Sequence, residues 1–233
     1  MTEEMQIVDS LVKHIHSGKY KPDDKLPSEN ELAEQFNVPR IKVRKAYERM
    51  QELGYINSKQ GKGSYVKDRR NQIPLVLTGD VSFSKKMAEL GYHFQSKNIF
   101  CNEITYDEKI FQSLGVCEEG QVFRVGRLRI VDQMPIALHI SYVAKSNFPD
   151  IEVTGKDITS MFQYYHQKGF TEFMSGSSIV SVIFPSKEER VILDCSSLVP
   201  LLALESACID KETGIVLEHT KILYRSDCFT YVI

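Results

Sequence analysis

Lys25-Leu26-Pro27-Ser28-Glu29-Asn30-Glu31-Leu32-Ala33-Glu34-Gln35-Phe36-Asn37-Val38-Pro39-Arg40-Ile41-Lys42-Val43-Arg44-Lys45-Ala46-Tyr47 is the stretch whose reading decides the fold. Ser28 stands three residues before Glu31, the spacing of a capping box, and Pro27 sets the approach to a helix whose buried face is Leu32, Ala33 and Phe36. Asn37-Val38-Pro39 is a short break. A second helix follows, with Val43, Ala46, Tyr47, Met50 and Leu53 on its apolar side, Gly54 at its end, and Arg40, Lys42, Arg44, Lys45 and Arg49 on its other side. Two helices joined by so short a turn, the second with a cationic exposed start, have helix-turn-helix geometry.

Upstream, Ile7, Val8, Leu11, Val12 and Ile15 form the stripe of another helix, and Lys21-Pro22-Asp23-Asp24-Lys25 reads as a turn. Downstream, Tyr55–Ser58 and Ser64–Val66 read as short strands around Lys59-Gln60-Gly61-Lys62-Gly63. Paired glycines permit a tight tip, and the lysines would lie beside a phosphate backbone, as in a wing. Gly61-Lys62-Gly63-Ser64 is not a nucleotide-binding phosphate loop, because its spacing and its strand–strand context both differ from that motif.

Charge agrees with this reading. The 233 residues carry a net −2, yet residues 1–70 hold 14 Lys+Arg against 11 Asp+Glu, and Asn37–Arg70 holds ten against three. Such a run is most often a solvated face; over a helix-turn-helix it also reads as a footprint for phosphates. Arg44 has a plainer alternative, a surface pair with Glu48 one turn on.

Lys25-Leu26-Pro27-Ser28-Glu29, Val38-Pro39-Arg40, Val43-Arg44-Lys45-Ala46 and Gly61–Val66 together resemble the winged-helix domain of GntR-family bacterial transcription regulators, over residues 5–67. The resemblance implies that Arg40 and Arg44 contact bases or phosphates and that Ser28 and Lys42 touch the backbone. It sets Gln60, Gly61 and Gly63, with Lys62, at the minor groove or its flanking phosphates. Asn30, Pro39 and Lys42 depart from the family's usual Arg, Ser and Thr, which implies an altered operator; Lys42 offers a point charge where a hydroxyl is usual.

The organisation expected is a DNA-binding domain over 1–67, a linker over 68–79 and a second domain over 80–233. Strands over 99–105, 122–131, 136–143, 179–184, 201–209, 215–224 and 228–233 alternate with helices over 84–90, 107–114, 159–168 and 186–193. Sequential hairpins argue an α+β fold with an antiparallel sheet. In Val125-Gly126-Arg127-Leu128-Arg129-Ile130-Val131 the period of two puts Arg127 and Arg129 on one face with Val125 and Val131. Two cations among apolar neighbours are costly unless an anion meets them, either a carboxylate such as Glu205 or Glu218 or a ligand. Ser84 and Ser160 open helices, where free N–H groups favour anions and where an ordinary cap is the plain alternative. His139 shares a strand face with Ser141 and reads either as a core histidine or as a site residue, and Glu218 shares one with Tyr224.

Phe83-Ser84, Arg127-Leu128-Arg129, Pro135 with Ser141, Pro200-Leu201-Leu202 and Glu218 with Tyr224-Arg225-Ser226-Asp227 resemble the UTRA effector-binding and dimerisation domain of the HutC branch of that family. Its fold is similar to that of chorismate lyase. The resemblance implies that Ser84, Arg127, Arg129 and Ser160 hold an anionic group beside Phe83, and that Glu218 and Tyr224 hold the polar body of a small metabolite such as a phosphosugar. His139 stands where the family often has Glu, which weakens the case for an amine-bearing sugar phosphate. Arg225 and Asp227 also read as a structural pair pinning the last hairpin.

The expected function is a cytoplasmic, homodimeric repressor that binds a two-fold symmetric double-stranded operator and answers to a small anionic metabolite. The alternative is a chorismate-lyase-type enzyme domain fused to a DNA-binding module. No acid/base pair, nucleophile elbow or metal-ligand spacing favours catalysis, and no cofactor or metal is expected. The acidic start, Met1-Thr2-Glu3-Glu4, and the lack of a long apolar run argue against a signal peptide or a membrane span. Five cysteines without a C-x-x-C pair read as reduced thiols.

Overall fold

The structure, a computed structural model, describes residues 2–59, 61–68, 72–76 and 83–232. α1 (Glu3–His16) carries its stripe inward through Ile7, Val8 and Leu11. α2 (Glu29–Phe36) starts on the expected capping box: Glu31 N–H donates to Ser28 Oγ at 3.2 Å, and Ser28 N–H donates to a Glu31 carboxylate oxygen at 2.6 Å. α3 (Arg40–Glu52) buries Val43, Ala46, Tyr47 and Met50 against α1 and α2. β1 (Ile56–Lys59) and β2 (Gly63–Val66) form the antiparallel wing, with Lys59 opposite Gly63. Gly63 takes φ +105°, and a Cβ there would lie 2.9 Å from Lys25 Cε, so a side chain would meet both strain and a clash.

Within the segment expected as a linker, β3 (Ile73–Val76) is a strand, paired in parallel with β11 (Phe229–Val232) at the end of the chain. Those four residues are thus tied to the end of the second domain by strand pairing. The pairing crosses the whole second domain, so nothing local announces it.

The second domain continues with α4 (Phe83–Glu89), β4 (Phe94–Glu103), α5 (Glu108–Leu114), β5 (Val122–Val131), β6 (Met134–Ala144), α6 (Ile151–Thr154) and α7 (Met161–Gln167). Then come β7 (Phe173–Ser175), β8 (Ile179–Ile183), α8 (Lys187–Leu193), β9 (Leu201–Asp210) and β10 (Val216–Arg225). One antiparallel sheet runs β4-β5-β6-β10-β9, and β7 and β8 share the outer edge of β9, along Cys208–Asp210 and Leu201–Glu205 respectively. β4 begins five residues earlier than expected, and α6 and β7 were not expected at all. Both of these are very short and carry no periodicity of their own.

The two domains touch through a buried charge cluster. Asp227 accepts from Arg225 at 3.1 and 3.0 Å and pairs with Lys67 at 2.7 Å. Arg225 also donates to the carbonyls of Pro135 and Leu193, both at 3.0 Å. Burial alone would raise the Asp227 pKa, but the bonds from Arg225 and Lys67 hold it well below the carboxylate range. Ser196 Oγ donates to the Glu52 carbonyl. Gly54, at φ +74°, lies so close to Val199 that a Cβ would touch Val199 Cγ2 at 3.4 Å. The Arg225–Asp227 pair expected to pin the last hairpin therefore also anchors the base of the wing.

Candidate nucleic-acid interface and effector pocket

A cleft of about 560 Å³ opens between the wing and the start of α3. Ser28, Arg40, Arg44, Gly61, Lys62 and Gly63 line it, as do Lys25 and Lys59. Arg40 and Arg44 are oriented by a residue the sequence reading did not single out. Glu29 accepts from Arg40 Nε at 2.6 Å and from Arg44 Nε and Nη2, both at 3.4 Å. The alternative partner for Arg44, Glu48, is not the one it takes. Burial alone would raise the pKa of Glu29, but the two guanidiniums hold it below its usual value. Both arginines keep about half their side-chain surface in water, 57% and 49%, and remain free to engage a further anion. Lys42 stands outside this cleft, 3.9 Å from Glu3. Gln60, expected at the wing tip, lies outside the described residues.

The second site is closed in. β5 and β6 pair Arg127 with His139 and Arg129 with Ala137, and β10 places Glu218, Thr220, Ile222 and Tyr224 along the same face. Phe83, Ser84, Arg127, Arg129, His139, Ser160, Glu218 and Tyr224 all line one cavity of about 120 Å³. The sequence-derived candidates thus come together. Phe83 packs edge-on to His139 at 4.9 Å between ring centroids, and the Arg129 guanidinium stands 5.8 Å from the Phe83 ring.

Neither carboxylate considered for the arginines meets them. Glu218 accepts from Tyr165 at 2.5 Å and from Thr220, and Glu205 is taken by Lys109 on the other face of the sheet. Arg127 instead donates to Ser141 Oγ, and Arg129 to Ser96 Oγ at 2.5 Å and the Thr159 carbonyl at 3.1 Å. Both arginines are 4% exposed. Arg127 Nε, Arg129 Nε and His139 Nε2 are buried without a hydrogen-bond partner among the described residues. Burial lowers the Arg127 pKa against the pull of Glu218 and Tyr165; burial and then Arg127 push that of Arg129 down further. Burial, Arg129, Arg127 and Lys86 depress the His139 pKa, so this ring is neutral at pH 7. A guanidinium does not deprotonate in a protein, so the depressed values mark a charge cost that an anion would relieve.

Sequence reading missed Lys86, Ser96, Thr220 and the wall formed by Phe173, Ser175, Ser178 and Ser206. Ser160 caps α7, accepting from Gln163 N–H at 3.3 Å, as well as lining the cavity. Among the described residues no group of His, Cys, Asp and Glu could hold a metal, and no helix is long and apolar enough to cross a membrane.

Residues 4–66 match the bacterial regulatory proteins of the gntR family, and residues 89–230 match the UTRA domain. The chain belongs to the GntR family of regulators, with a UTRA domain. This GntR-family chain is 28% identical to the HTH-type transcriptional repressor NagR of Bacillus subtilis, over 97% of its length and 92% of the relative's. It is 28% identical to the mannosyl-D-glycerate transport/metabolism system repressor MngR of Escherichia coli, covering 98% and 93%. In fold it is similar to PhnF of Mycobacterium smegmatis, with a TM-score of 0.62 at 22% identity over 99% and 97% of the two chains. The relatives are transcription regulators, and the enzyme alternative falls away.

Proposed function

We propose that this GntR-family chain is a homodimeric cytoplasmic repressor whose operator binding is controlled by a small anionic metabolite, of phosphosugar type, held between Arg127 and Arg129. One observation carries the effector reading: two fully buried guanidiniums face one cavity with no carboxylate paired to either, and an Nε of each has no partner among the described residues. Leaving such groups uncompensated costs several kcal/mol, roughly, unless an anion enters. Ser84, Ser160 and the neutral His139 add polar contacts at the same cavity, and Glu218 with Tyr224 receives the polar body of the ligand. A relative named for mannosyl-D-glycerate supports a sugar-bearing effector.

On the DNA side, Arg40 and Arg44, held by Glu29, read the operator, while Ser28, Lys42, Gln60, Gly61, Lys62 and Gly63 contact the backbone and the minor groove. One short recognition helix reads only a few base pairs, so useful specificity needs two copies across a dyad.

The test is a thermal-shift screen of phosphate- and carboxylate-bearing metabolites, followed by calorimetry on Arg127→Ala and Arg129→Ala. A charge-assisted contact predicts at least about tenfold weaker binding for each, or 1.4 kcal/mol. Folded variants that bind the retained metabolite normally would refute the effector site.

A further inference from the structure

Ile41 stands where nothing in the fold needs it. α3 packs on α1 and α2 through Val43, Ala46, Tyr47 and Met50. At about 100° per residue, Ile41 lies about 160° round the helix from Val43, on the side turned away from that core. It is 53% exposed and takes no part in the core cluster. Among the described residues of the first domain, Met5 at 36% is the only other large apolar side chain left so open. Helix stability does not call for Ile41 either. A β-branched residue is a poorer helix former than the Lys, Arg or Gln that suits a solvated face.

The surroundings of Ile41 decide what kind of partner fits it. Arg40 and Lys42 flank it in sequence, Arg44 and Lys45 stand one turn on, and the first turn of α3 holds no acidic residue. A dry protein surface or a lipid tail would strip those cations of water without replacing it. A major groove would not. Its walls are phosphates, and its floor carries one apolar group, the C5-methyl of thymine. We infer that Ile41 helps set the operator sequence by packing on a thymine C5-methyl in each half-site, beside the base pair approached by Arg44. The contact rejects as well as accepts. Adenine, guanine and cytosine present donors and acceptors there without a methyl, and an isoleucine would leave those groups dry and unpaired. The inference rests on the operator reading above and adds what Arg40 and Arg44 lack, since a guanidinium bonds to acceptors and does not sense a methyl.

Deoxyuridine tests the contact, because it pairs as thymidine does and lacks only the methyl. An operator is selected from random duplexes with the full-length chain, and each thymine it requires is replaced in turn, in both half-sites together. Anisotropy at fixed salt should show one thymine whose replacement weakens binding about fifteenfold, or about fourfold per half-site, the worth of one buried methyl. With Ile41→Ala, the thymine and deoxyuridine operators should bind within about twofold of each other, and Ile41→Val should restore most of the difference. Ile41 is exposed, so Ile41→Ala should melt with the parent. A second selection with Ile41→Gln, which also suits the helix, should lose thymine at that position and keep the rest of the half-site. A parent indifferent to every deoxyuridine, or an Ile41→Ala chain that retains the same penalty, overturns the thymine contact. Uniformly weaker binding of Ile41→Ala to all sequences, as a contact with the sugar–phosphate wall would give, overturns it too. In each of those cases the operator reading stands if Arg44→Ala still weakens binding. A parent chain that selects no operator overturns both.

Discussion

Two pairs of arginines meet opposite fates in this molecule. Arg40 and Arg44 stand half in water and share one carboxylate, Glu29. Arg127 and Arg129 are almost wholly buried and share none. Water and Glu29 keep the first pair inexpensive, so it can serve an extended polyanion that arrives with its own solvent. The second pair has lost its water and gained only hydroxyls and a carbonyl, so it suits a small anion that can enter the cavity and replace what burial removed. The same residue type is used once as a surface contact and once as a pocket.

Salt should separate the two most widely. Operator affinity should fall about a thousandfold or more between 50 and 200 mM salt if six or more phosphates are neutralised by the dimer. Metabolite binding at Arg127 and Arg129 should change by less than about tenfold, because buried charges are poorly screened. Anisotropy titrations on an operator recovered by selection, run beside calorimetry on the metabolite, make the comparison. A flat DNA response would remove the phosphate footprint.

Carboxylates should diverge nearly as far. Asp227→Ala leaves Arg225 buried and unpaired and should destabilise the chain by about 3–5 kcal/mol. Glu29→Ala breaks a more exposed contact and should cost under about 1 kcal/mol in the same urea titration, while weakening operator binding through the loosened Arg40 and Arg44. Equal losses would mean that Glu29 is more than an orienting group.

Arg127→Met should reverse the usual sign. Without ligand it removes a buried cation that no carboxylate bonds directly and should raise the melting temperature, while abolishing the thermal shift given by the metabolite. Arg44→Ala should leave stability within about 0.5 kcal/mol and cost about 1–3 kcal/mol in operator binding. A destabilised Arg127→Met would show that Ser141 and the sheet already satisfy that guanidinium.

The smallest effect is in acid. His139 has a depressed pKa in the fold, from burial and from Arg129, Arg127 and Lys86, and His219 is depressed by burial too. Below about pH 6.5 the unfolded chain takes up protons that the folded chain refuses. Stability is therefore full above that pH and declines as pH falls, by up to about 1.4 kcal/mol per unit for each histidine until its folded pKa is reached. His139→Gln should flatten the acid limb of a melting-temperature profile; an unchanged limb would exclude His139 as its source.

The sequence alone determined the winged helix almost residue by residue. Its signals are local: a capping box over four positions, an apolar stripe at helical spacing, and two glycines at a wing tip. It also determined that Arg127 and Arg129 share a face, because strand period fixes direction whatever lies opposite. What it left open was who lies opposite. The pattern admits a carboxylate such as Glu205 or Glu218 as readily as a ligand, and only the register of β9 and β10, with Tyr165, Thr220 and Lys109 already bonded to those carboxylates, denies the arginines both. Glu29 reaches Arg40 and Arg44 across eleven and fifteen residues, and β3 finds β11 across more than a hundred and fifty. Periodicity tells a side chain which way to point; only tertiary packing decides which partner it meets there, because that depends on register and on competition among groups distant in the chain.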